Sequence, residues 1–240
     1  MMIVGVIPAR YASVRFPGKP LALLAGKPMV LHVWEGAKES GRLDRVIVAT
    51  DDERIAAAVR AAGAEAVLTS REAASGTDRL AEAARTIPAD VYVNVQGDEP
   101  MMSGRNVDRV VETLLASPDR RLATLAIALQ AEQAPDPNVV KVAVAQDGRA
   151  LYFSRSPIPY YRHGTPAYRK HLGLYAYRAQ TLAELVRLPP SPLERAESLE
   201  QLRWLEAGYT VWVGEAVTDS IGVDTPADLA RAEEILTLCK

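Results

Sequence analysis

A chain of 240 residues with 48% apolar and 24% charged side chains can bury a substantial core, which excludes a disordered or fibrous protein. A formal net charge of −2 excludes the basic balance of a nucleic-acid coat, and no apolar run approaches the roughly 18 residues a membrane span requires. The only cysteine is Cys239, so neither an internal disulfide nor a Cys-based metal site is expected. With no basic lead-in before the short apolar start, the expected address is cytoplasmic.

In chain order, Ile3 to Ile7 reads as a first strand. From Met1 to Trp34 there is no Asp or Glu, while Arg10, Arg15, Lys19 and Lys27 are all present, which makes a local trap for a small anion. Pro28 stands where a first helical residue stands, and Met29, Val30, Val33, Trp34 and Ala37 then share a face. This predicts a helix from Pro28 to Ser40, closed by Gly41. Arg45 to Ala49 reads as a second strand, Asp52 to Ala62 as a helix before Gly63, and Val91 to Val95 as a third strand. Val107, Val110, Val111 and Leu114 mark a further helix. Such alternation predicts an α/β fold with a mostly parallel sheet.

The second half changes style. Val139 to Ala145 and Ala150 to Ser154 flank Asp147-Gly148, the signal of a tight hairpin, so an antiparallel element interrupts the winding. His171 to Tyr177 and Thr210 to Val217 read as strands, with one helix from Leu193 to Ala207 between them and Thr225-Pro226 opening the last helix. Nothing marks a linker, so a single domain over 1–240 is expected, with 139–177 as a hairpin insertion on the acceptor side.

Several motifs carry chemistry. Pro8 to Lys19 follows the first strand, where open α/β sheets bind ligands, and its cations suit a triphosphate. The spacing is not that of a P-loop, so side chains rather than a glycine nest would do the holding, and a solvated basic loop is the bland alternative. In Val91 to Pro100 a valine-rich strand ends at Gly97, which lets the chain turn and present Asp98; one or two carboxylates are what Mg²⁺ takes from protein, and a turn-forming Asp-Glu-Pro is the alternative. In Gly222 to Asp228, helix capping explains Thr225, Pro226 and Asp228 but leaves Asp224 over. Ser75-Gly76-Thr77-Asp78-Arg79 reads either as a helix cap or as a base-reading loop. Arg155, His171, Tyr175, Glu200 and Gln201 are dispersed polar candidates; His171 and Tyr175, four apart, share a face of their strand.

Taken in order, Ile7 to Arg10, Pro17 to Lys19, Val46 to Asp51, Ser75 to Arg79, Val93 to Pro100, Leu151 to Arg155, His171 to Gly173, Leu199 to Leu202 and Gly222 to Pro226 resemble the 3-deoxy-manno-octulosonate cytidylyltransferase family over nearly the whole chain. The resemblance implies a nucleotide-diphospho-sugar transferase, Rossmann-like fold, a homodimer, Mg²⁺ as cofactor, and a place in making the lipopolysaccharide inner core. It implies transfer of CMP from CTP to 3-deoxy-manno-octulosonate. By motif, Arg10, Arg15 and Lys19 would hold the triphosphate and, with Asp98, carry catalysis. Ser13, Ala49, Thr50, Ser75, Gly76, Thr77, Asp78, Arg79 and Gln96 would join Arg10 and Lys19 around the nucleotide. Gln96, Arg155, His171, Tyr175, Glu200 and Gln201 would line the sugar-acid pocket, and Asp98 and Asp224 would hold the metal. A cytidylyltransferase for another acid sugar, such as sialic acid or an amino-octulosonate, and a non-catalytic CTP-binding protein are the rival readings; neither nucleic acid nor membrane is expected as a partner.

Overall fold

The computed structural model describes residues 1–238 apart from Ser13, Val14 and Ala74, so Cys239 lies outside the described residues. Its chain divides into two compact units, Met1–Asp108 with Ser220–Lys240, and Arg109–Asp219. Among the described residues no helix is long and apolar enough to cross a membrane.

The first unit opens with β1 (Ile3–Ala9), whose near-continuous apolar run is buried on both faces, as a central parallel strand requires. The basic loop follows, then a small hairpin of β2 (Leu23–Leu24) and β3 (Lys27–Pro28) and helix α1 (Met29–Lys38). Pro28 occupies the cap rather than the first turn, and the helix closes at Glu39 before Gly41 is reached. Next come β4 (Arg45–Thr50), α2 (Glu53–Ala61), β5 (Glu65–Leu68), α3 (Gly76–Ala84), β6 (Val91–Asn94) and α4 (Gly104–Leu115), within which the division between units falls. The strands pair in parallel in the order β6-β1-β4-β5. Val6, Ile7, Ile47, Val48, Val91 and Val93 are fully buried between helices, as are Met29, Val30 and Val33 of α1, Ile55 and Val59 of α2 and Leu80 of α3. Each such aliphatic contributes roughly 1.5–3 kcal/mol.

The second unit contains β7 (Leu122–Leu129), β8 (Lys141–Val144), β9 (Ala150–Ser154), β10 (Tyr168–Arg178), α5 (Ala179–Leu185), α6 (Pro192–Glu197), α7 (Gln201–Glu206) and β11 (Trp212–Glu215). β7 runs antiparallel to β10 and parallel to β11. β8 and β9 form the expected hairpin, closed at Asp147-Gly148 by a bond from Gly148 N to Ala145 O of 3.0 Å. Its core is aromatic: Trp204 meets Tyr175 and Tyr177 edge-on, with centroids at 5.1 and 5.8 Å. The last helix, α8 (Pro226–Leu238), belongs to the first unit, where Ala232 closes a small cluster with Leu24, Met29 and Val223, and Phe16 of the basic loop packs against it.

The expected helix from Leu193 to Ala207 is two helices. Ser191 and Glu194 form a capping box that starts α6, and Ser198 then adopts a left-handed conformation (φ 52°) that ends it before α7 begins. β8 starts at Lys141 rather than Val139, because Val139 N turns back to Asp136 O at 3.2 Å and Val139 O accepts from Lys141 Nζ at 2.6 Å.

Candidate active site

The site of the first unit is assembled at the carboxyl ends of β1, β4 and β6. The backbone of Gly97 crosses so close to β1 that a Cβ there would stand 2.4 Å from Pro8 O. The chain turns here as expected, with Glu99 N bonded to Gln96 O at 3.2 Å, and the close approach is what requires glycine at the turn. Asp98 follows at once. Its backbone oxygen accepts a bond of 2.8 Å from Val223 N, which brings Asp224, far along the chain, to the same place. Asp228 accepts from Asp224 N, Thr225 N and Thr225 Oγ1 at 2.8–3.1 Å, so the capping work falls on Asp228 and the Asp224 carboxylate is left for other partners.

Those partners come from the basic loop. Lys19 Nζ donates to Asp98 Oδ2 at 2.8 Å and to Asp224 Oδ1 at 3.1 Å, and Arg15 Nη2 lies 2.9 Å from Asp224 Oδ2. Lys19 is the sheltered member, its side chain 13% exposed against 62% for Arg15. Two carboxylates and an acid-free cationic segment thus meet in one place. Arg10 is exposed at the loop's start, and Ser13 lies outside the described residues.

The donor set fits a hard divalent cation. The carboxylates of Asp98 and Asp224 already converge on one cationic nitrogen, and Mg²⁺ takes one or two carboxylates from protein and completes its shell with phosphate and water. Among the described residues no group of three or more His, Cys, Asp or Glu forms a metal cage.

The remaining nucleotide candidates are buried or committed to local structure. Ala49 and Thr50 are fully buried at the end of β4. Ser75 Oγ accepts from Asp78 N and Asp78 Oδ2 from Ser75 N, both at 3.1 Å, a complete capping box for α3. Gly76 lies against Pro8 and Thr77 is buried. Arg79 is also buried: its Nη2 lies 3.2 Å from Asp51 Oδ2, and Nη1 donates to Thr69 Oγ1 at 2.5 Å and Ser70 O at 3.3 Å. Gln96 is half-buried beside Gly97, and its carbonyl accepts from Glu99 N.

Three residues that sequence reasoning gave no role shape the loop. Asp51 Oδ1 accepts from Tyr11 N at 3.2 Å, Arg54 lies over the Tyr11 ring at 3.5 Å, and Asp52 grips Arg54 through two side-chain bonds of 2.8 and 2.7 Å. That grip holds the Asp52 carboxyl down at about 2. The available signal was Asp51-Asp52 directly after a strand, read only as a helix start.

Within the second unit, Arg155 is tied by Nε to Glu197 O at 2.7 Å, by Nη1 to Pro137 O at 2.8 Å, and by its backbone N–H to the Glu197 carboxylate at 2.9 Å. His171 and Tyr175 are neighbours, ring centroids 5.4 Å apart, despite a bulge between Leu172 and Tyr175. His171 Nε2 lies 3.0 Å from Thr124 Oγ1, and burial pushes the imidazole down to about 3. Burial raises the Tyr175 phenol well above its ordinary value. Gln201 is buried in the first turn of α7, and Glu200 is its cap.

Residues 4–216 match the family model described as cytidylyltransferase, which sets the class. The chain is 54% identical over 243 residues to the 3-deoxy-manno-octulosonate cytidylyltransferase of Syntrophobacter fumaroxidans, covering 98% of this chain and 97% of that one. Against the protein of that name from Escherichia coli it is 47% identical, covering 96% and 94%. A solved structure of a CMP:2-keto-3-deoxy-manno-octonic acid synthetase complexed with CTP superposes with a TM-score of 0.96 at 45% identity over all of both chains. A cytidylyltransferase from Leptospira borgpetersenii, at 17% identity and a TM-score of 0.67 over 99% of this chain and 87% of that one, shares the fold alone. This chain belongs to the 3-deoxy-manno-octulosonate cytidylyltransferase family, as its motifs implied, and has the mixed α/β fold of nucleotide-sugar transferases.

Proposed function

We propose that this chain transfers the CMP part of CTP to the anomeric oxygen of 3-deoxy-D-manno-octulosonate, giving CMP-Kdo and pyrophosphate for lipopolysaccharide inner-core synthesis. The observation that carries the reading is the meeting of Lys19 with Asp98 and Asp224. A polyphosphate needs cations and a metal needs carboxylates, and this cluster supplies both.

The reaction is an in-line displacement. The anomeric hydroxyl gives up its proton to solvent as its oxygen forms a bond to the α-phosphorus of CTP, the bond from that phosphorus to the bridging oxygen breaks, and the electron pair leaves with pyrophosphate. The protein's work is positioning and charge stabilisation. Lys19 and Arg15 offset the growing charge on the leaving group, and Arg10 attracts the triphosphate. Asp98 and Asp224 would hold Mg²⁺, which when bound neutralises phosphate charge and polarises the reacting oxygens. Arg155, His171, Tyr175, Glu200, Gln201 and Gln96 are assigned to the acid sugar through the family motifs. Mg²⁺ dependence, homodimeric assembly and a cytoplasmic location belong to the same proposal and rest on family resemblance.

The test is pyrophosphate release from CTP with a panel of acid sugars. Turnover with the octulosonate is expected to exceed that with sialic acid or an amino-octulosonate. No release with the octulosonate would end this reading, and tight CTP binding without release on any sugar would favour a nucleotide-sensing protein.

A further inference from the structure

We propose that Tyr11 is a positioning residue of the nucleotide site, pinned at several points so that the loop it opens presents Arg15 and Lys19 to a nucleoside triphosphate. This rests on the reading of that loop as the triphosphate holder.

Tyr11 is held by its backbone N–H, its carbonyl and its ring. Its N–H donates to Asp51 Oδ1 at 3.2 Å, and its carbonyl accepts from Gly18 N at 3.0 Å, which closes the base of the loop. Its ring lies under the Arg54 guanidinium at 3.5 Å, and a Cβ on Gly18 would come within 3.3 Å of the ring. Gly18 also takes a left-handed conformation (φ 71°) that other residues adopt only with strain. The anchors are themselves fixed: Asp51 by the buried Arg79, and Arg54 by Asp52. At the far end Phe16 packs on the cluster of Leu24, Met29 and Val223. Arg15, between these fastenings, reaches Asp224, and Lys19, directly after Gly18, reaches Asp98 and Asp224. Catalytic groups displaced by about 1 Å can lose on the order of 10² in rate, which is the scale on which a pin of this kind matters.

The experiment compares Tyr11→Ala, Tyr11→Phe and Arg54→Ala with the wild type by calorimetric CTP binding, by KM for each substrate, and by hydrogen exchange at Gly18 N. Tyr11→Ala is expected to weaken CTP binding about tenfold and to raise KM for CTP while leaving KM for the acid sugar within about twofold. Tyr11→Phe keeps the ring and is expected to restore binding. Arg54→Ala is expected to cost about two- to fivefold, the scale of an exposed cation–π contact. Exchange at Gly18 N is expected to rise in Tyr11→Ala whether or not nucleotide is present. Wild-type CTP affinity in a folded Tyr11→Ala, or equal rises in both KM values, would overturn the pin. Unchanged exchange at Gly18 N would overturn it independently of CTP. A wild type that binds no CTP would instead remove the triphosphate reading, and the proposal with it.

Discussion

Lys19 Nζ stands 2.8 Å from Asp98 Oδ2, although 79 positions separate the two residues in the chain. The loop after β1 and the turn after β6 thus share one charge-assisted hydrogen bond, and Asp224 joins it from a third part of the sequence. The pairs are partly exposed, so their worth to stability is modest. What they indicate is where charge gathers.

Asp98→Asn removes a charge without changing shape. Because the side chain is 36% exposed, the fold is expected to persist while turnover falls by on the order of 10²–10³. Pyrophosphate release beside a circular-dichroism melt checks both halves, and near-normal release would refute the assignment of Asp98.

Lys19→Met leaves Asp98 and Asp224 without their shared ammonium. Mn²⁺ is expected to bind the nucleotide-free variant about tenfold more tightly than the wild type, since a competing cation has gone. Electron paramagnetic resonance of free Mn²⁺ measures this directly. If Lys19→Met binds Mn²⁺ no better, these carboxylates are not the metal ligands.

The buried pair of Arg79 and Asp51, side chains 3% and 9% exposed, makes a stability prediction. Arg79→Met strands a carboxylate away from water and is expected to cost roughly 3–5 kcal/mol in urea unfolding. Adding Asp51→Asn should return part of that loss, and a single variant as stable as the wild type would contradict the role given to the pair.

His171 governs an acid response in the second unit. Its pKa falls from 6.5 to about 3 on folding, so between those values the unfolded chain carries a proton that the folded chain does not. Stability is therefore whole above pH 6.5, declines as pH falls through that window, and levels off below about 3. Urea midpoints at neutral and mildly acidic pH should diverge less for His171→Phe than for the wild type. Equal divergence would mean that other groups carry the acid sensitivity.

β1, β4 and β6 were readable as short runs rich in β-branched residues, α1 and α2 from a single apolar face, and the β8–β9 hairpin from Asp147-Gly148 between two runs. β7 was not, because its run Leu-Ala-Thr-Leu-Ala-Ile-Ala-Leu is apolar on both faces and fits a buried helix as well as a strand. β5 is four residues long with both end residues exposed, too brief for a pattern. The break at Ser198 has neither Gly nor Pro to announce it. For the site, the acid-free cationic stretch from Met1 to Trp34 and the acids after β6 and before α8 pointed to the meeting of Lys19, Asp98 and Asp224. Nothing local distinguishes Arg79, whose burial against Asp51 depends on a partner 28 residues away, or Tyr11, whose fastenings come from a different strand end.

The crossing of Gly97 over Pro8 leaves no room for even a methyl group. Gly97→Ala would act as a wedge, parting the strand that leads to Arg10 from the turn that carries Asp98. Such an enzyme could keep every charge it owns and still lose the alignment on which they act.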